Sequence, residues 1–549
     1  MFELYYKKNE NDALFKMLEN NNLEQIQNYI PIYKRFFKLN DANYKSLNLN
    51  QHFNITSLEK TDTKYRFNCT IKSDTTTIKT NTFFKYSPLI DPIKFMVGKY
   101  KGQVAENIKI LPTLTGENCD PKILDPNNSA YVDGFFTYLT SNILHTHNFI
   151  HGLDFYGSFL AINKNYEIDI LDDIEYLNEN KFFRENKNNL FDVNIDEELL
   201  NNDSFTRNYR KKLEISNKTT LSVDNIDNAG FNEVFENTIN ENPDNSGVVL
   251  EYSTNSKSSS NSTQSSKCSS RSSYSSDGSD GSDGSDEDSD SSDYSIGSDV
   301  ECTASLKDFP VQVICLEAME KTMDTLLSED ISTGEWASCL FQIIMMLVTY
   351  QKMFDFTHND LHTNNVMYNT TDIKFIIYKY NNQYYKVPTF GRLFKIIDFG
   401  RAIYTYKGNI ICSDSFNSNG DAATQYNTEP YLNKNKPIIE PNKSFDLCRL
   451  GCSIYDHFYD AWEDKFDKHP LTIMINKWCT DDKGRNILYK KCGEERYPEF
   501  KLYKMIARTV HNNVPSNYID DELFSDFKSI KKKIGKRRVI NIDELPVYT

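Results

Sequence analysis

Apolar positions along this 549-residue chain fall into blocks of different period. In residues 11–40, NDALFKMLENN and LEQIQNYIPIYKRFF place apolar side chains three and four apart, which predicts two helices, the second broken at Pro31. From about 52 to 90 the pattern shortens. FNITSLEK, YRFNCTIK and TTIKTNTFFKY are rich in Thr, Ile, Phe and Tyr and separated by polar turns, so three antiparallel strands are expected. NSAYVDGFFTYLTSNILH (128–145) predicts a helix with a broad apolar face. HNFIHGLDFYGSFLAI and NYEIDILDDIEYL read as strands, and NENKFFRENKNNLF as a helix. Near 310, VQVICLEAM reads as a buried strand running into a short polar connection, and TMDTLL as the start of a helix. GEWASCLFQIIMMLVTYQKMFDF is apolar enough to be a buried helical spine. SFDLCRLGCSIYDHFYD and the last hundred residues are again helical in pattern, and the whole reads as an α+β protein.

Composition changes this picture in one place. The chain carries a net charge of −16, but residues 271–300 hold nine acids against one arginine, a local −8. That segment, SDGSDGSDGSDEDSDSSD and its surroundings, has almost no apolar area to offset its ordering entropy, so a disordered Ser/Asp-rich insertion is expected over 195–306. It reads as a solvated insertion or, more sharply, as a phosphate-accepting tail in which Ser285 and Ser289 sit among carboxylates. The rest is only mildly acidic, which offers no argument for a nucleic-acid partner. Aromatic content is 13% and hydrophobic content 39%, so Tyr and Phe must fill much of the core. Eleven Cys occur without a C-x-x-C pair, and Cys448 and Cys452 lie in an apolar helical run, which favours buried thiols over metal ligands. MFELYYKKNEND lacks the apolar segment of a signal peptide, and the longest apolar run, CLFQIIMMLV, is too short to span a bilayer. A soluble protein of a reducing compartment, without a membrane partner, is expected. The basic run KSIKKKIGKRR (528–538) reads as a localisation signal, a docking patch or a solvated face.

Two polar clusters carry the chemistry. His358, Asp360 and Asn365 form H-x-D-x-x-x-x-N, and Asp398, Phe399 and Gly400 form D-F-G. The first can supply a carboxylate for an acceptor hydroxyl and an amide oxygen for a metal. The second can supply a carboxylate bridging metal ions to phosphates. His358, bracketed by Phe356 and Leu361, is expected to organise the loop. Lys85 ends the third strand as TFFK, where it would point into a cleft beneath the sheet, with Lys94 and Lys99 as fallbacks. Asp133 is the only acid of the 128–145 helix and so the candidate partner of Lys85, although it is one methylene shorter than Glu and stands beside Gly134.

On FFKYSPLIDP, YVDGFFTYL, HNDLHTNN, YYKVPTFGRLFKIIDFGRAIY, GDAATQYNTEPY and SFDLCRLGCSIYD, the chain resembles the eukaryotic-type protein kinases. More narrowly, it resembles the serine/threonine-kinase-like proteins of large nucleo-cytoplasmic DNA viruses. The resemblance covers 50–165 and 310–460. It implies a bilobal fold with a helical extension (1–47), an antiparallel-sheet lobe (48–194), the insertion (195–306), a last strand and hinge (307–327) and a helical lobe (328–549). It further implies ATP with Mg2+, a protein substrate and a soluble protein of the host cytoplasm or virion. Asp360 would be the catalytic carboxylate, Asn365 and Asp398 the metal ligands, and Lys85 with Asp133 the phosphate-pairing couple. Leu316 would back the nucleotide pocket, with Glu317 and Met319 on the adenine-binding hinge. Asp446 would hydrogen-bond back onto the catalytic loop.

The chain also departs from that pattern. Its first glycine is Gly98, so no glycine-rich loop can cover phosphates between the first two strands. Asn359 replaces the customary Arg before the catalytic Asp, and His362 replaces the lysine that contacts the transferring phosphate. HNDLH is also similar to the aminoglycoside and choline phosphotransferases. Asp398 follows Asp360 by 38 positions, about twice the usual gap, and a hairpin around YKYNNQYYKV would absorb the excess. A protein kinase, a nucleotide-binding pseudokinase and a small-molecule phosphotransferase are therefore the competing readings.

Overall fold

A computed structural model describes residues 2–8, 11–100, 108–194, 302–461, 468–534 and 538–549. The insertion expected over 195–306, with Ser285 and Ser289, lies outside the described residues except at its end. There the structure corrects the boundary: residues 303–306 already belong to a strand. Part of the basic run, 535–537, also lies outside.

The protein is mixed α/β. Its largest unit is a curled, seven-stranded antiparallel sheet built from β1 (Leu23–Gln27), β2 (Asn54–Lys60), β3 (Arg66–Lys72), β4 (Thr77–Pro88), β5 (Phe155–Asp169), β6 (Phe191–Asn194) and β7 (Thr303–Glu317). The order is β1-β5-β7-β4-β3-β2, with β6 added along β7. The expected trio β2–β4 is therefore an antiparallel meander. The segments read as two strands over 147–177 are instead one continuous strand, β5, followed by a short helix, Ile174–Glu179.

The N-terminal extension is not purely helical. Helix α1 (Asp12–Glu19) forms as its period demands, but LEQIQ becomes strand β1 and Pro31–Arg35 a 3₁₀ turn. The reason is tertiary: the outer edge of β5 presents backbone groups that need partners, and Leu23–Gln27 supplies them. Helix α1 then packs against both β1 and β2, the two ends of the curled sheet, with Phe15 edge-on to Phe159 at 5.2 Å.

Helix α2 (Ser129–His147) lies on one face of this sheet. Asn128 caps its start by accepting from Ala130 N, and Asn148 closes it in the left-handed region. Gly134 brings the two layers together, because a Cβ there would run into the buried Gln312 amide of β7. The residue that weakens the helix in isolation is thus what lets Asp133 approach the sheet.

The remaining elements surround α3 (Thr333–Phe354), whose Ser332–Glu335 capping box starts it and whose interior is buried on all sides. Among the described residues it is the one helix long and apolar enough to cross a membrane, but 94% of that window is buried inside the protein. TMDTLL, read as a helix start, forms a 3₁₀ turn, Met323–Ser328. Four strands follow α3: β8 (Val366–Thr370), β9 (Phe375–Tyr380), β10 (Gln383–Pro388) and β11 (Arg392–Ile396). Helices α4 (Phe445–Ala461), α5 (Pro470–Trp478) and α6 (Lys501–Thr509) complete the helical part. The last hundred residues are less helical than their pattern predicts, since Lys528–Ser529 and Ile540–Asn541 add edge strands to the β9–β10 hairpin.

Buried polar groups stitch these parts together. His151 is fully buried, its Nδ1–H donating to Phe394 O at 2.7 Å and its Nε2 accepting from Tyr378 at 2.6 Å. Burial pushes its pKa down from 6.5 to about 4. The unfolded chain therefore takes up this proton first, and the stability His151 contributes above pH 6.5 is lost as pH falls toward 4. From pH 7.5 to pH 5 that loss is about 2 kcal/mol. Urea titrations at the two pH values should show it, and His151→Gln should flatten the slope by a similar amount. In the same assay Gly134→Ala should cost about 1–3 kcal/mol through overpacking against Gln312.

Candidate active site

Strands β8 and β11 are antiparallel neighbours, with Val366 opposite Ile396. The residue entering β8, Asn365, and those leaving β11, Ile397 and Asp398, consequently emerge side by side, and Ile397 N donates to Asn365 O at 3.0 Å. The number of residues joining the strands does not matter to this placement. The β9–β10 hairpin takes up the unusual spacing.

Lys85 lies on β4 opposite Ile314 of β7. Its ammonium sits 2.7 Å from Asp133 Oδ2 and 2.8 Å from Asp398 Oδ1. Asp133 spends its other oxygen on Phe399 N, at 2.9 Å. The shorter acid thus reaches both Lys85 and the D-F-G backbone, because Gly134 allows the close approach. The two carboxylates differ in environment: the Asp133 side chain is 4% exposed and that of Asp398 46%. Burial raises the Asp133 carboxyl despite the Lys85 charge. For Asp398 burial also opposes ionisation, but the Lys85 ammonium and its hydrogen bond win, holding the carboxyl at about 2. Burial works against Lys85 itself, yet the two carboxylates raise its pKa. One cation between two anions leaves a local charge of −1 beside an exposed carboxylate. Lys94 is engaged elsewhere, with Asp91 and Asn419 O.

Asp360 is 7% exposed. Burial raises its pKa, but Arg401, His362, Arg449 and a Tyr503 hydrogen bond together bring it below the ordinary carboxylate value. Tyr503 donates to Oδ1 at 2.7 Å, and Arg401 Nη1 stands 3.8 Å from Oδ2. Asn365 commits its amide nitrogen to Asp360 O at 2.9 Å and to His362 Nε2 at 3.1 Å. The Asn365 side-chain oxygen meets no donor among the described residues.

Neither histidine is placed to move a proton to substrate. His358 donates from Nε2 to Ile397 O at 2.9 Å and accepts Asp360 N at Nδ1, 3.3 Å away, so both ring nitrogens are spent inside the protein. His362 accepts from Asn365 at Nε2, while its Nδ1 is buried without a partner. Burial pushes it down to about 4, so it is neutral at physiological pH and supplies no cation.

The loop is braced from below. Asp446, at the start of α4 and fully buried, accepts His358 N and Asn359 N, each at 2.9 Å. Asn359 is held at φ +65° and Asp398 at +62°, left-handed conformations in which non-glycine residues are uncommon. Asn359 is fully buried and neutral: its amide donates to Thr357 Oγ1 and Arg401 O, and Tyr426 donates back to its oxygen at 2.7 Å. Phe399 packs against Phe136 at 4.7 Å and His358 at 5.7 Å, fastening D-F-G to α2 and to the loop.

The proposed hinge residues divide. Leu316 is buried, paired with Phe83 and Phe155 across the sheet. The Glu317 side chain is taken up by an ion pair with the buried Lys395 and by Asp154 N, while its own N–H donates to Asp154 O. Its N–H and carboxylate are thus structural. The Met319 carbonyl accepts from Arg66 at 2.5 Å, and its N–H meets no acceptor among the described residues.

Sequence reasoning did not single out Arg401, Asp421, Arg449 or Tyr503. Arg401 pairs with Asp421 at 2.5 Å, and Arg449 donates to the Tyr503 hydroxyl at 2.8 Å. Arg401 follows D-F-G directly and could have been found by adjacency, whereas Tyr503 lies 143 positions from Asp360 with no local signal. Among the described residues no group of three or more His, Cys, Asp or Glu side chains could hold a metal ion. No protein-family model and no curated protein matches the chain.

Asp446→Ala should leave two buried N–H groups without an acceptor and cost on the order of 2–4 kcal/mol, read from the urea midpoint. An unchanged midpoint would mean that the loop is not braced by this carboxylate.

Proposed function

We propose that the chain is a protein kinase with a bilobal arrangement, transferring the γ-phosphate of ATP to serine or threonine hydroxyls of protein substrates. The observation that carries this reading is the bridging of Lys85 between Asp133 and Asp398 beside the Asp360–Asn365 loop. Such an arrangement gathers a phosphate-pairing cation, hard oxygen donors and an ionised carboxylate.

The donor chemistry fits magnesium. Asn365 offers an amide oxygen without a protein donor and Asp398 a half-exposed carboxylate, in a group carrying one excess negative charge. Magnesium characteristically takes one or two protein oxygens and completes its shell with water and phosphate. Asn365 and Asp398 would hold it, and its chemistry there would be neutralisation of phosphate charge. Lys85 would pair with phosphate oxygens. Asp360 would orient the acceptor hydroxyl and take up its proton, and the Met319 N–H beside Leu316 would meet the adenine edge. Positioning and electrostatics of this kind supply most of what phosphoryl transfer asks of a protein. The resemblance to viral kinase-like proteins suggests a soluble protein working in the host cytoplasm.

A second reading, nucleotide binding without transfer, is favoured by the turn between β2 and β3. In place of glycines it carries Lys64, ion-paired with Glu167, and Tyr65 at φ +62°.

Labelled ATP, magnesium and generic protein substrates, given to the full chain and to Asp360→Ala and Asp398→Ala, separate the readings. Wild type should label substrate, and each variant should fall on the order of 10²–10⁴-fold. Equal labelling by all three would end the enzyme reading, and nucleotide binding without labelling would establish the second. Label on Ser285 or Ser289 that vanishes in the variants would make the insertion a substrate.

A further inference from the structure

Among the described residues, one side chain hydrogen-bonds to the Asp360 carboxylate, and it comes from the far end of the chain. Tyr503, on α6 and 8% exposed, donates its hydroxyl to Oδ1 at 2.7 Å. Arg449 of α4 donates from Nε to the same hydroxyl oxygen at 2.8 Å. The Tyr503 ring is flanked by two guanidinium groups, Arg449 at 5.1 Å and Arg401 at 5.7 Å. With its oxygen already accepting from Arg449, the phenol is part of the frame around Asp360.

The other groups facing Asp360 do not do the same work. Arg401 stands 3.8 Å from Oδ2, beyond hydrogen-bond range, and its guanidinium pairs with Asp421 at 2.5 Å. His362, on the same loop, is neutral and tied to Asn365. Asp446 of α4 brings a second negative charge, which opposes ionisation of Asp360, and its oxygens are spent on the loop backbone.

We propose that Tyr503 is a positioning residue for the acceptor step. By holding Oδ1 it fixes the rotation of the Asp360 carboxylate and leaves Oδ2 as the oxygen that meets the acceptor hydroxyl. In the step served, the acceptor oxygen bonds to the γ-phosphorus as its proton passes to Oδ2. The bond from that phosphorus to the bridging oxygen breaks, and ADP leaves with the electron pair. The catalytic consequence rests on the phosphotransferase reading, while the hold on Asp360 does not.

The test uses the full chain as wild type, as Tyr503→Phe, and with 3-fluorotyrosine placed at 503, a near-isosteric and more acidic donor. Two quantities are read at pH 7: transfer rate at saturating and limiting ATP, and the carbon-13 chemical shift of the Asp360 carboxyl in aspartate-labelled protein, assigned with Asp360→Asn. Tyr503→Phe should lower kcat about tenfold or more with KM for ATP changed less than about twofold, and should move the Asp360 carboxyl resonance, as loss of the donor at Oδ1 requires. The fluorinated protein keeps the donor and should hold kcat within about threefold of wild type. An Asp360 resonance that stays put in Tyr503→Phe overturns the proposal, as does a loss that falls on KM for ATP and leaves kcat unchanged. If wild type transfers no phosphate, the phosphotransferase reading fails, and the carboxyl resonance still decides whether Tyr503 holds Asp360.

Discussion

A single ammonium shared by two carboxylates sets the geometry of this protein's polar centre. Lys85 comes from the sheet, Asp133 from helix α2 and Asp398 from the segment after β11, so the three-way contact joins three separate parts of the chain. Each charge would be costly to bury alone, and with one partner removed the remaining ion would favour a different packing. Asp133 deepens the constraint, because its second oxygen accepts Phe399 N and ties the D-F-G backbone to the same helix. The close approach of α2 at Gly134 and the packing of Phe136 on Phe399 are apolar counterparts of that tie.

Around this centre the protein spends buried hydrogen bonds on holding two uncommon backbone conformations. Asn359 and Asp398 both sit at positive φ, which isolated chains avoid and only an over-determined environment sustains. Asp446 supplies that environment for the loop, and Asn359 adds a neutral knot with Thr357, Arg401 and Tyr426. Asn359 is an uncharged amide whose donors and acceptor are already used inside the protein. The segment after D-F-G is instead held by Arg401 and Asp421, a pair present as soon as the chain folds.

Strand pairing makes the placement of Asn365 and Asp398 independent of the length of chain between the strands. Additions placed between β8 and β11 leave Asn365 and Asp398 adjacent, because antiparallel register fixes the strand ends and not the loop. The β9–β10 hairpin is then covered by edge strands from the C-terminal region, which gives its backbone groups partners. Residues 195–301 lie in the chain between β6 and β7, two paired strands of one sheet.

The sequence by itself determined those features whose cause is local. The alternation of β2–β4, the apolar length of α3, and the H-x-D-x-x-x-x-N, D-F-G and Asp446 spacings each follow from neighbours within a few residues. They placed Asp360, Asn365, Asp398 and Lys85 on the elements where they are found. Only the tertiary structure decided whatever depends on a distant partner. LEQIQ has a helical period yet becomes a strand because the edge of β5 needs pairing. His358 and His362 have the composition of proton-transfer groups, but their ring nitrogens are used up or buried by residues the motif does not contain. Glu317 is expected from the sequence on an adenine-binding hinge, yet its carboxylate is claimed by Lys395. Tyr503 reaches Asp360 across 143 positions. Periodicity and spacing record which face of an element is apolar and which residues travel together. They carry no record of which buried donor will meet which acceptor, because that is settled by the packing of whole elements.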